Sequence, residues 1–162
     1  MNMLLLQGGL MSFLIGILLS LPLAAVHYNQ SPPWTAVFAN PRKLKSAHLD
    51  FFMQALAAGF AYTLERASGS ALPLYIVIPL LYGTIGNPLI LLLESIANYR
   101  VGFIGACYRF MKATSPALLM LAWFLLAGRF LPLYAWLFLA VFAAAGALVV
   151  WRYRRRNGSG EA

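Results

Sequence analysis

Acidic residues are scarce: Asp50, Glu65, Glu94 and Glu161 face twelve Lys and Arg in a chain of 162 residues. Charged residues of both signs amount to 10% and hydrophobic ones to 62%, against roughly a quarter and a half in soluble proteins. That deficit of charge excludes a soluble domain, because the apolar surplus needs lipid around it. Cysteine is nearly absent too. With Cys107 alone, neither an intramolecular disulfide nor a Cys-based zinc site can form within one chain. No Gly-rich phosphate loop, Ser-His-Asp set or carboxylate pair occurs, so hydrolase and nucleotide chemistry lack their usual basis. The basic residues lie between apolar stretches and not on a soluble face interleaved with aromatics. They read as juxtamembrane anchors near lipid, and no nucleic-acid partner is expected.

What is present is a series of long apolar runs. Residues 4–26 match the ~20 residues needed to cross a hydrocarbon core, and no Lys or Arg precedes them, so they read as a retained first helix. Residues 27–45 form a polar connection with Trp34 suited to the headgroup layer and the basic run Arg42, Lys43, Lys45. A second span is expected at about 46–64, ended by Glu65, Arg66, Ser68, Gly69 and Ser70. A third, at about 72–96, carries Pro79 and Pro88 and is expected to tilt and kink. Residues 97–116 read as another connection, with Arg100, Arg109 and Lys112. At roughly 1.5 Å per residue the apolar stretch 117–151 is too long for one crossing, and Arg129 with Pro132 divides it. The division predicts an interfacial or re-entrant helix at about 118–126 and a fourth span at about 133–151.

The expected architecture is all-α: a polytopic transmembrane four-helix bundle with an extra helix before the last span. A single domain covers residues 1–156 and a disordered tail covers 157–162. The run Arg152, Arg154, Arg155, Arg156 argues for a cytoplasmic C-terminus in a bacterial inner membrane. Four crossings then leave two basic loops outside. A crossing by residues 117–127, or a weak charge bias, resolves that conflict. The small residues Ala55, Ala57, Ala58, Gly59 and Ala61 mark a helix-packing face.

Four polar residues inside the spans are costly to leave in lipid: His48, Asp50 and Gln54 in the second and Asn87 in the third. At about 100° per residue Asp50 and Gln54 share a face, while His48 points nearly opposite to Asp50. One direction then faces the chain's own bundle and the other a second subunit or a ligand between subunits, which favours a homo-oligomer. A neutral imidazole offers one nitrogen to haem iron while the other donates to an acceptor, and Phe51, Phe52 and Leu56 suit a porphyrin as apolar walls. The plainer readings are an interfacial His48 bonded to a loop, Asp50 capping or paired with Lys45 or Arg42, and Gln54 and Asn87 in interhelical hydrogen bonds. Glu94, near Arg100, reads as half of a surface ion pair. Tyr82, which shares a face with Tyr75 and adjoins Gly83, is a candidate general acid or a packing aromatic.

Asn40-Pro41-Arg42, then Ala47-His48-Leu49-Asp50, Met53-Gln54-Ala55 and Leu81-Tyr82-Gly83-Thr84 with Asn87, resemble the hydroxylaminobenzene mutases and, more distantly, the styrene oxide isomerases. The likeness covers about residues 40–91. It implies a four-span membrane isomerase or mutase acting on a small hydrophobic, typically aromatic, substrate. In the styrene oxide isomerases a ferric haem b between subunits of a trimer acts as Lewis acid on an epoxide, and its axial histidine matches His48. By the same likeness Gln54 and Asn87 orient substrate, with Asp50 supporting the site. The chain departs from the pattern at three places. Gln54 stands where both families have asparagine, and Gly83 and Leu91 stand where the styrene oxide isomerases have an aspartate and a tyrosine. Gln54 can still donate, but Gly83 and Leu91 supply neither carboxylate nor phenol. Two other function classes fit the same composition: a non-catalytic multi-pass protein serving assembly or a larger complex, and a small transporter.

Overall fold

Helices dominate because the runs are apolar and lipid offers the backbone no other partners. The computed structural model describes residues 3–28 and 32–158, without the side chains of 154 and 156–158. Its elements are α1 (Met3–His27), α2 (Pro32–Val37), α3 (Pro41–Ser68), α4 (Leu74–Ser95), α5 (Gly102–Phe130) and α6 (Leu133–Gly158). No strand occurs among the described residues. Contacts divide the chain into one unit up to Leu126 and a second from Ala127. Four helices, α1, α4, α5 and the Leu133–Tyr153 part of α6, are long and apolar enough to cross a membrane. The chain is therefore an all-helical integral membrane protein.

The boundaries follow local chemistry. Asn40 caps α3 by accepting from the Lys43 N–H at 3.2 Å, and Pro41 occupies the first turn, where its missing N–H costs nothing. The helix thus starts five residues ahead of the expected 46. It ends at Gly69, whose φ of 65° only glycine adopts freely and whose N–H donates to the Arg66 carbonyl. Glu65 and Arg66 therefore lie inside α3 and do not end it, and Glu65 is buried. Part of the first connection is helical as well, as α2.

Residues 97–116 correct the expectation most. They are not a long connection: the chain turns through Asn98, in the left-handed region at φ 59°, and re-enters helix at Gly102. The short helix expected at 118–126 is thus the later part of one 29-residue helix that runs through Pro116. The predicted division at Pro132 holds, with α5 ending at Phe130 and α6 starting at Leu133. Of the tail expected at 157–162, residues 157 and 158 continue α6, and 159–162 lie outside the described residues.

Within the first unit α1, α3, α4 and α5 alternate in direction. Lipid provides no hydrophobic drive between helices, so close packing by small residues holds them. On α1, Gly9, Ser12 and Gly16 are buried and face Ala55 and Ala58, the Phe51 carbonyl, and the Phe52 ring respectively. The packing face expected on α3 is present at Ala55, Ala58 and Ala61, while Ala57 and Gly59 are only half-buried. Between α4 and α5 the contacts step in opposite directions: Gly83 meets Leu119, Asn87 meets Ser115, and Glu94 meets Tyr108. A Cβ at Gly83 would collide with Leu119, so the two backbones come close there because residue 83 has no side chain.

Candidate functional site

His48 is half-buried on the side of α3 that faces α1. Its Nδ1 lies 2.8 Å from the Gly16 carbonyl oxygen. A carbonyl only accepts, so Nδ1 carries the proton and donates; in the neutral ring that leaves the lone pair on Nε2. The Phe52 ring packs edge-on to the imidazole at 4.9 Å, and Phe13 packs on Phe52 at 5.2 Å. Gly16 serves both contacts, since its carbonyl holds His48 and a Cβ there would press on the Phe52 ring. His48 is therefore bonded to a transmembrane helix and not to a loop.

Phe51, expected as a second porphyrin wall, is instead a core residue packed among Leu19, Val26, Phe38 and Leu44. Phe52 alone of that pair lies beside the imidazole. Leu56 is exposed and borders an apolar groove of about 200 Å³ between α1 and α3, lined also by Leu10, Phe13 and Ala55.

Asp50 and Gln54 do share a face, and the Gln54 amide donates to Asp50 Oδ1 at 3.4 Å. No ion pair joins Asp50 to Arg42 or Lys45 among the described residues. Asp50 stands two turns after Lys43, which pairs with Glu94 on α4 at 2.5 Å, so its face of the helix is the one turned toward α4. Counting the same two turns back along α4 from Glu94 reaches Asn87, at the level of Asp50. Asn87 is engaged on its far side, where Ser115 donates to its Oδ1 at 2.8 Å. Tyr82 lies 2.7 Å from Thr114 Oγ1, and Thr114 itself donates to the Phe110 carbonyl, so the Tyr82 hydroxyl is the donor. Its proton is committed to α5.

His48, Asp50, Gln54 and Asn87 thus occupy neighbouring levels of one bundle, yet they face three different seams. His48 looks to α1, the Asp50 and Gln54 pair to the α4 side, and Asn87 and Tyr82 to α5. Both directions presented by α3 meet helices of the same chain. The opposed orientation of His48 and Asp50 accordingly needs no second copy to explain it.

A second polar cluster ties the end of the bundle where α3 begins. Glu94 bonds Lys43, Lys112 at 3.4 Å and the Tyr108 hydroxyl at 2.7 Å, and Lys112 donates to that hydroxyl. Its partners are these and not Arg100. Sequence reasoning did not single out Tyr108, Ser115, Thr114 or Gly16. The small residues of α1 at positions 9, 12 and 16, spaced by three and four, are the signal that points to Gly16. Because Glu94 is the shared acceptor of three groups, Glu94→Gln is expected to destabilise the purified protein by about 1 kcal/mol. Thermal unfolding in detergent checks it, and the loss should nearly vanish in a background already carrying Lys43→Met and Tyr108→Phe.

No group of three or more His, Cys, Asp or Glu that could hold a bare metal ion occurs among the described residues. What this arrangement defines is a helical membrane protein with one tautomerically fixed imidazole and a belt of amides and hydroxyls at its level. No family model, curated protein or solved structure matches the chain.

Proposed function

We propose that this protein is a membrane-embedded isomerase or mutase that rearranges a small hydrophobic, aromatic epoxide or N-hydroxylated substrate, with haem b held by His48. The observation that carries the reading is the Nδ1 bond to the Gly16 carbonyl. A histidine ligating haem typically donates its other nitrogen to such an acceptor, which orients the ring and raises the basicity of the coordinating nitrogen. The residues present fit that role: an imidazole whose Nδ1 is engaged as donor, leaving Nε2 to coordinate, and Phe52 and Phe13 as apolar neighbours. Bound haem supplies a Lewis-acidic iron for the substrate oxygen. The groove beside Phe13 is not lined by His48 and is smaller than the roughly 300–1,000 Å³ of ordinary ligand sites, so this reading requires a second copy of the chain to enclose the porphyrin. The trimer implied by the family resemblance belongs to this proposal.

The chain's own groups then divide the remaining work. Gln54 uses one amide hydrogen on Asp50, leaving its second hydrogen to position a substrate oxygen or nitrogen. Asn87 accepts from Ser115, leaving its NH₂ to donate. Asp50 holds the Gln54 amide in place. Tyr82 positions α4 against Thr114. A bacterial inner membrane is the proposed location.

The test is visible absorbance of protein purified from haem-replete cells. A Soret band is expected, lost in His48→Ala and kept in Asp50→Asn; colourless wild-type protein would sink the proposal. A second reading, a non-catalytic membrane subunit, is favoured by one observation: Asn87 and Tyr82 are engaged with α5 and not turned to a cavity shared with His48.

A further inference from the structure

A cleft of about 340 Å³ opens between the end of α1 and the start of α3, lined by Leu23, His27, Tyr28, Pro41, Arg42 and Lys45. We propose that it seats the phosphate headgroup of an anionic membrane lipid.

Three observations support this. The charged lining is one-signed: Arg42 and Lys45 line the cleft beside the His27 imidazole, and among the described residues no carboxylate lines it. The first turn of α3 contains no acidic residue, and the nearest acidic group of the bundle end, Glu94, is engaged by Lys43, Lys112 and Tyr108. Among the described residues neither the Arg42 nor the Lys45 side chain has an ion-pair partner. Arg42 and Lys45, three apart on one helix, present their charges side by side, the spacing that two cations need to share one phosphate.

The lining is also amphipathic along its depth. Leu23 sits one turn before His27 on α1, so an apolar surface continues from the cationic rim toward the membrane interior. A lipid satisfies both parts, its phosphate at the rim and its glycerol and first methylenes on Leu23 and Pro41. A free inorganic anion would use the rim alone. The position agrees, because Arg100, Arg109 and Lys112 lie at this same end of the antiparallel bundle, where an anionic leaflet attracts them.

Binding of a fluorescent phosphatidylglycerol to the full-length protein in neutral detergent tests the assignment, with phosphatidylcholine and inorganic phosphate as competitors. Saturable binding is expected, about tenfold or more weaker in Arg42→Gln/Lys45→Gln, while Arg100→Gln/Arg109→Gln, with the same loss of charge, stays within about twofold. All four side chains are exposed, so both variants are expected to fold, and an unchanged helical circular dichroism spectrum checks it. Equal weakening in the two variants would mean diffuse attraction to the basic end and would overturn the site. So would displacement by millimolar phosphate, which identifies a free anion as the occupant, or equal competition by phosphatidylcholine.

Discussion

An aspartate at position 83 is expected to abolish accumulation of the folded protein. By the resemblance drawn from the sequence, position 83 is where the styrene oxide isomerases carry a carboxylate, and Gly83→Asp would introduce one. The packing of α4 on α5 forbids it. A Cβ at residue 83 collides with Leu119 Cβ, Cγ and Cδ1, and Gly83 is itself buried. Overpacking of this kind costs about 1–3 kcal/mol already for alanine. A carboxylate adds a desolvation cost of roughly several kcal/mol, because Leu119 offers it no partner. Together these approach the ~5–15 kcal/mol that holds a typical protein folded. The yield of monodisperse protein from solubilised membranes is the measurement: near zero for Gly83→Asp, reduced for Gly83→Ala, and partly recovered when Leu119→Gly accompanies Gly83→Ala. Wild-type yield and thermal stability for Gly83→Asp would show that α4 and α5 do not approach at this point. The close packing of α4 on Leu119 thus leaves no room for a side chain at residue 83.

The second large effect is an all-or-none pattern of side exposure. Composition by itself does not qualify α3 as a span, because His48, Asp50 and Gln54 interrupt the apolar stretch between its charged ends. Packing places it in the bundle, since α3 is held against α1 at Gly9, Ser12 and Gly16 and against α4 at Ser95 and Glu94. The expected result is that α3 crosses beside the four helices that are apolar enough by themselves, α1, α4, α5 and part of α6. The basic residues at 42–45, 100, 109 and 112 lie at one end of the first unit, and that end is expected on the cytoplasmic side. In a Cys107→Ser background, Ala36→Cys and Ala97→Cys are expected to be shielded from a membrane-impermeant maleimide in intact cells, and Ser70→Cys to be fully labelled. Labelling of all three, or the reverse pattern, would refute the arrangement.

Much of the architecture was legible. The apolar runs predict α1 and α4 within a few residues and the start of α6, and Pro132 marks the break before α6 because a proline cannot continue the hydrogen-bond ladder behind it. Asn40-Pro41 carried a readable start signal for α3, a capping amide followed by a residue preset for the first turn. The start of α5 was hidden, since Tyr108, Arg109 and Lys112 look like a polar connection until Glu94 is seen to neutralise one of them from α4. Among the site residues, the Asp50 and Gln54 pair follows from helical periodicity alone. The partners of His48, Asn87 and Tyr82 do not, because each is more than twenty-five residues away along the chain.

The amino-acid sequence alone determined that this protein lives in lipid and is helical, because hydropathy and backbone satisfaction are properties of each segment taken singly. It also marked His48, Asp50, Gln54 and Asn87 as polar interruptions of apolar runs. Only the tertiary structure decided what those groups meet. Register between antiparallel helices depends on where glycines such as Gly16 and Gly83 let backbones approach, and that choice sets whether an imidazole faces a carbonyl, a lipid tail or a ligand.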